Sequence, residues 1–353
     1  MSRRNKLFAT YFASMVGLAL LNVFLSVIPN RLSDNGLDIL YSLLAQMVCM
    51  GIIPLVGGFL TYRKGRSAGE CVKHTLTKWN YRLPYDKRVW GPVALLCVSF
   101  IFVTQLVARI GNLTLLLGQF TFPIQVGPVY NNAGELFLWI VVGALLPATF
   151  EELTHRGLVL DALGDGGNEV VQVFLGGLMF ALMHTNIMQF LYAFVGGCVM
   201  AFVVVKTGSI LPAMLMHFVN NTYSHLSNYA SQNPKSILGW IDTINSLFTS
   251  NVLLLVVGAI LLIVNVIVAL WLLTWLQKTS GKPEGLREVT LLGIRRKGVD
   301  QEGKPTSTTQ RLLTLDAYRP YGKARLVDNV FLAGVITTTT LSTIFTYVWG
   351  VMR

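Results

Sequence analysis

The chain has 353 residues, of which 53% are hydrophobic and only 13% charged, with 28 Lys and Arg against 17 Asp and Glu. Soluble domains carry about 25% charged residues, so the composition excludes an ordinary soluble protein and points to a polytopic membrane protein. The cations lie mainly between apolar runs rather than on one face, which argues against nucleic acid as a partner. The four cysteines, Cys49, Cys71, Cys97 and Cys198, have neither C-x-x-C spacing nor the pattern of a disulfide framework.

A membrane-crossing helix needs roughly 20 mostly apolar residues. The first such run, 7–28, follows Arg3, Arg4 and Lys6. It is long for a signal-peptide core and lacks a small-x-small cleavage site, so it reads as an uncleaved first span. Runs at 37–61, 89–110, 134–163, 169–186, 188–205, 209–228, 252–276 and 329–351 follow. The fold class expected is all-α, a polytopic transmembrane helical bundle of about nine spans. Three parts are expected: 1–133 with three spans and a basic loop, 134–228 as a four-span catalytic core, and 229–353 with two spans.

The positive-inside rule then sets the sidedness. Arg3, Arg4 and Lys6 hold the N-terminus in the cytoplasm of a multi-pass cell-membrane protein. The loop from Arg63 to Arg88 is rich in Lys and Arg, and so is the segment 277–328, with Arg295, Arg296, Lys297, Arg311 and Arg325. Both fall inside under alternating spans, and the C-terminus falls outside. The 277–328 segment reads as a topology determinant, with contact to anionic lipid headgroups as the alternative.

Most ionisable residues at apparent membrane depth fall between Glu151 and Asn221, where each charge costs at least ~2.5 kcal/mol on insertion scales. Glu152 and Arg156 in "TFEELTHRGLVL" are i and i+4 with the acid first, the favourable order for a helical ion pair. Phe180 and His184 are i and i+4 in "FALMH". His217 and Asn221 are i and i+4 in "HFVNN", on one helix face. Counted inward from the turns near 164–168 and 206–208, Glu151 lies roughly 18 Å deep, His184 roughly 22 Å, His217 roughly 12 Å and Asn221 roughly 18 Å. The groups therefore share one slab of the bilayer. Pro147 removes the helical bond to the Gly143 carbonyl and opens the helix one turn before the glutamates. The Glu152–Arg156 pair also has a purely structural reading, as a neutralised pair stabilising the bundle. His155, His74 and His225 have no convergent partner and read as solvent-edge residues.

A carboxylate and a histidine in a wet cavity activate water by general-base catalysis, and a second histidine with an amide donates to a developing oxyanion. That set fits hydrolysis of a peptide bond without a protein nucleophile. The chain has no H-E-x-x-H and no G-x-S-x-G. Ser209 has no base beside it, and Asp161 and Asp165 share one turn rather than two facing helices.

The motifs "EELTHR", "FALMH" and "HFVNN", in this order, resemble the E-E-x-x-x-R, F-x-x-x-H and H-x-x-x-N motifs of the CAAX prenyl endopeptidase and bacteriocin-processing (CPBP, or Abi) family. The resemblance runs from about 134 to 228. It implies an intramembrane endopeptidase with its site open to the cytoplasm, acting on a peptide or membrane-protein substrate among membrane lipids. It implies Glu151 as the water-activating base assisted by His184, His217 and Asn221 as the oxyanion site, and Glu152 and Arg156 as residues that order the cavity. Glu151, His184 and His217 are also a candidate three-ligand set for zinc or another divalent metal. The alternative within the same fold is a non-catalytic immunity factor or scaffold, and the oligomeric state is left open.

Overall fold

The computed structural model describes residues 1–27, 34–84, 86–121, 128–164, 169–250, 252–279, 288–290, 293–295, 298–299, 305–306 and 330–352. The chain opens with α1 (Arg3–Val27). A long helix, α2, combines Asp34–Leu44, a π-helical stretch Ala45–Ile52 and Ile53–Tyr62. The short α3 (Ala68–Lys78) starts at a capping box in which Ser67 accepts the Glu70 N–H and Glu70 accepts the Ser67 N–H. Next come α4 (Trp90–Leu117) and a helix, α5, over Ala133–Gly164 with two π-helical stretches, Val141–Leu145 and Leu153–Val159. They are followed by α6 (Glu169–Met183), α7 (Ile187–Thr207) and α8 (Leu211–Gln232). The last helices are α9 (Gly239–Ser250), α10 (Val252–Thr279) and α11 (Val330–Met352).

The expected all-helical bundle is what the membrane part shows. Between α10 and α11 the described residues add two small antiparallel pairs, β1 (Glu288–Thr290) with β2 (Gly293–Arg295), and β3 (Gly298–Val299) with β4 (Pro305–Thr306). The rest of the basic 277–328 segment between Ser280 and Asp328, including Arg296, Lys297, Arg311 and Arg325, lies outside the described residues, as does Asp165.

Helices occupy all nine places where spans are expected, and among the described residues seven are long and apolar enough to cross a membrane. The other two differ for a physical reason. The helix α6 has 15 residues, roughly 22 Å at 1.5 Å per residue, against a hydrocarbon core of about 30 Å. The helix α8 is long, but it carries a polar run from Asn220 to Ser224. These two helices bear His184, just past the end of α6, and His217 with Asn221 on α8. The helix α6 packs chiefly on α7, and α8 on α4 and α5, so that their polar groups find partners that lipid cannot offer.

Close approach of α6 and α7 depends on facing glycines. A Cβ on Gly197 would sit 2.9 Å from the Gly177 Cα, and one on Gly177 would sit 2.8 Å from the Cys198 nitrogen. Small residues at such crossings let helices pack backbone to backbone. The loop after α3 is anchored in a similar way, with the fully buried Trp79 lying against Gly58 and Gly157.

Contacts at the two ends of the bundle define its polarity. At one end Arg3 pairs with Asp161 at 3.0 Å, Tyr62 donates to Asp161, Lys206 pairs with Glu169, and Arg82 Nε donates to the Gly208 carbonyl at 2.9 Å. At the other end the Tyr130 N–H meets Gln232 Oε1 at 3.0 Å, and the Thr121 N–H meets the Gly350 carbonyl at 2.8 Å. The N-terminus and the basic 63–88 loop thus share one end, and α11 finishes at the other. With the positive-inside rule this gives a direct test in a cysteine-free background. A cysteine replacing Lys64 should be protected from an impermeant thiol reagent in intact cells, whereas one replacing Lys235 should react. The reverse labelling would invert the sidedness.

Candidate active site

The expected site residues are placed by three π-distorted or capped segments rather than by regular helix alone. In α5, Pro147 cannot supply an N–H to the turn before it, and the helix widens to π geometry at Val141–Leu145. The Gly143 carbonyl is then taken from another helix, by Asn221 Nδ2 of α8 at 3.2 Å. Widening resumes at Leu153–Val159, just after the glutamates. The helix α6 stops near His184, Thr185 follows with a positive φ of 46°, and Asn186 caps α7 by accepting the Met188 N–H at 3.0 Å.

A cavity of about 350 Å³ opens between α2, α4, α5, α6, α7 and α8. Glu151, His184, His217 and Asn221 all line it, along with Gln46, Thr104, Tyr192 and His225. Glu151 and His217 approach at 3.9 Å, between Oε2 and Nε2. Glu152 and Arg156 stand behind the wall, 0% and 1% exposed. Arg156 Nη1 donates to Glu152 Oε1 at 2.8 Å, and its Nη2 donates to the Gly197 carbonyl at 3.2 Å. The same Glu152 oxygen accepts from His217 Nδ1 at 2.9 Å. The sequence pairs Glu152 with Arg156; the fold adds His217 to the pair.

Hydrogen bonds also fix which ring atoms are presented. His184 Nδ1 donates to the Phe180 carbonyl at 2.9 Å, one turn back, which leaves Nε2 as the unprotonated nitrogen of a neutral ring. The Phe180 side chain is equally central. Its ring is edge-on to His155, His184 and His217 at 5.1, 5.1 and 5.8 Å between centroids, and the Arg156 guanidinium lies 4.4 Å from its centroid. That is a cation–π contact in a desolvated setting.

Two histidines expected at solvent edges lie elsewhere. His155 is fully buried; its Nδ1 donates to the Glu151 carbonyl at 2.9 Å and its Nε2 meets the Tyr11 hydroxyl at 3.0 Å. His225 lines the cavity, with Tyr130 Oη 2.6 Å from its Nδ1 and Trp139 stacked on it at 5.9 Å. His74 packs edge-on to Tyr62 at 5.1 Å. Each gains a partner from another helix, which spacing within one helix does not reveal. Two further polar contacts come from outside the motif region. Gln46 Nε2 donates to Glu151 Oε1 at 2.7 Å, and Thr104 Oγ1 donates to Asn220 Oδ1 at 2.8 Å. Gln46 and Thr104, polar residues within mostly apolar runs, were the available signals, but neither is ionisable.

Competing nucleophiles are occupied. Ser209 is buried and donates to the Arg82 carbonyl, while Asp161 is held by Arg3 and Tyr62.

Residues 132–223 match the family model described as Type II CAAX prenyl endopeptidase Rce1-like. That match falls on the core of the chain, which is thus similar to an Rce1-like domain. No curated protein and no solved structure matches the chain. The matched segment takes in α5, α6, α7 and the first half of α8, and with them all seven motif residues from Glu151 to Asn221. The chain is a multi-pass membrane protein, and α1, α2, α4, α10 and α11 lie outside the matched segment.

Burial of the Glu152–Arg156 pair in the Rce1-like core generates a stability prediction. Glu152→Gln leaves the guanidinium buried without its counter-charge, a change that costs about 3–5 kcal/mol when one partner of a buried pair is removed. Thermal unfolding in detergent should show the loss. Adding Arg156→Met to Glu152→Gln should recover part of it; full stability of the single variant would show that the pair is not structural.

Proposed function

We propose that this protein is an intramembrane endopeptidase that hydrolyses a peptide bond with water activated by Glu151 and His184. The observation that carries this reading is the meeting of Glu151, His184, His217 and Asn221, from three helices, on one cavity within an Rce1-like core. Glu151 takes a proton from water, and the oxygen adds to the carbonyl carbon of the peptide bond. His184 Nε2, the acceptor nitrogen of its neutral ring, orients the second water proton. Collapse of the tetrahedral intermediate breaks the C–N bond, and the proton held by Glu151 passes to the leaving amine.

The oxyanion role divides between two differently prepared donors. Asn221 spends one N–H on the Gly143 carbonyl, which leaves the other for the cavity. His217 has one proton fixed at Nδ1 by Glu152, so Nε2 donates only from the doubly protonated ring. The carboxylates of Glu152 at 2.9 Å and Glu151 at 3.9 Å are the counter-charges that form requires. A carboxylate and two imidazoles are donor types that zinc accepts. Yet among the described residues no three His, Cys, Asp or Glu side chains are grouped to hold a metal ion, and the reaction above runs through side chains and water. The substrate class is a peptide or membrane-associated protein, and because the family description reads CAAX prenyl endopeptidase, prenylated CAAX peptides head the panel to be tested.

Two variants separate catalysis from scaffolding. Comparing membrane peptidomes of cells with wild-type and Glu151→Gln protein should reveal fragments that only the wild type makes, with cleavage reduced at least ~10²-fold. A Glu151→Gln protein that keeps its full cellular effect would favour the immunity-factor or scaffold reading. Asn221→Ala should lower kcat by roughly 10²–10³ with little change in KM; an unchanged kcat sinks the oxyanion role. Metal content measured on the same samples decides the remaining point. Stoichiometric zinc lost in His217→Ala and kept in Asn221→Ala would replace the metal-free scheme.

A further inference from the structure

Among the described residues, no hydrogen bond from within the Rce1-like segment reaches the Glu151 side chain, and His217 Nε2 stands 3.9 Å from its Oε2. Its Oε1 accepts from Gln46 Nε2 at 2.7 Å, and Gln46 belongs to α2, outside residues 132–223. We propose that Gln46 is a positioning residue for the catalytic base: it holds Oε1 so that Oε2 is the oxygen turned to His217 and to the water. The proposal rests on the reading of Glu151 as base and adds the element that orients it.

The local structure around Gln46 is built for this contact. Gln46 lies in the π-helical stretch Ala45–Ile52, where the Ile53 N–H reaches back five residues to the Val48 carbonyl. Such widened turns occur most often at functional sites. The stretch is fastened to α5 at further points on either side of Glu151. Thr154 Oγ1 donates to the Met50 carbonyl at 2.7 Å, and Gly51 meets the Phe150 ring so closely that a Cβ there would stand 2.9 Å from it. With Phe150 and Thr154 both pinned to α2, the intervening Glu151 meets Gln46 in a fixed register. The orientation of the carboxamide follows from charge. An ionised carboxylate only accepts, so the NH₂ and not the carbonyl oxygen faces Glu151. Gln46 is 9% exposed, and a donor to a carboxylate in such surroundings is a charge-assisted bond, stronger than a neutral one.

Positioning of this kind acts on the chemical step. Misplacing a reacting group by about 1 Å costs on the order of 10²-fold. Gln46→Met keeps the length and removes the donor. The expected result is a kcat lowered by about 10- to 10²-fold on the fragment-yielding peptide identified above, with KM and the unfolding temperature near wild type. Infrared difference spectra in nanodiscs supply a readout that needs no substrate. The carboxylate stretching bands of Glu151, assigned by their loss in Glu151→Gln, should shift in Gln46→Met. They should shift as well in Gln46→Asn, which withdraws the amide by one methylene and serves if Gln46→Met does not fold. Unmoved bands overturn the proposal, and so does a kcat loss matched by an equal loss of fold or a rise in KM. If Glu151→Gln cleaves as well as wild type, the base reading fails, whereas the band shift still decides whether Gln46 holds the carboxylate.

Discussion

Glu152 Oε1 accepts from two helices at once, the guanidinium of Arg156 one turn along α5 and the imidazole of His217 on α8. Much of the site follows from this one oxygen. A carboxylate with 0% exposure in an apolar bundle persists only if charge and hydrogen bonding compensate its lost hydration. Both compensating groups thereby become fixed. Arg156 is drawn against the Phe180 ring and the Gly197 carbonyl, tying α5 to α6 and α7. His217 is turned so that Nε2 faces Glu151. The adjacent glutamates thus split into one that builds the wall and one that looks into the cavity.

Lipid explains why the remaining polar groups sit where they do. The outward faces of α10 and α11 expose large apolar side chains such as Ile260, Trp271, Leu341 and Trp349, surface that hydrocarbon accepts and water does not. Polar groups are collected inside instead and satisfy one another in chains. Thr104 donates to Asn220, Asn220 to Asn221 and Asn221 to the Gly143 carbonyl. That last acceptor is free because Pro147, four residues on, has no N–H. A helix defect in α5 and a polar stripe on α8 are therefore two halves of one arrangement, and each would be costly in lipid alone.

The Rce1-like segment is also incomplete on its own terms. Its glycine-lined crossing of α6 and α7 is internal, but part of what reaches Glu151 comes from α1 and α2. Tyr11 reaches the backbone carbonyl through His155, and Gln46 reaches the carboxylate directly. The flanking helices thus do more than seal the core from lipid. One of them, α2, also donates a hydrogen bond to the Glu151 carboxylate.

The sequence by itself determined the helical membrane class, the order of the spans and the polar residues that share a cavity. These rest on local signals: apolar runs of membrane length, i to i+4 spacing on one helix face, and a rise per residue that converts position into depth. It also placed the opened carbonyl at Gly143, because a proline acts on its own helix. Only the tertiary structure decided which partners those residues take. It joined His217 to Glu152, spent one Asn221 N–H on Gly143, buried His155 under Tyr11 and brought Gln46 and Thr104 to the site. Tertiary structure also fixed α6 as a short helix ending near His184 and α8 as a polar helix in the bundle interior. Contacts between residues as far apart as Gln46 and Glu151 depend on how whole helices pack, and a linear pattern records each helix's own face but not the face it meets.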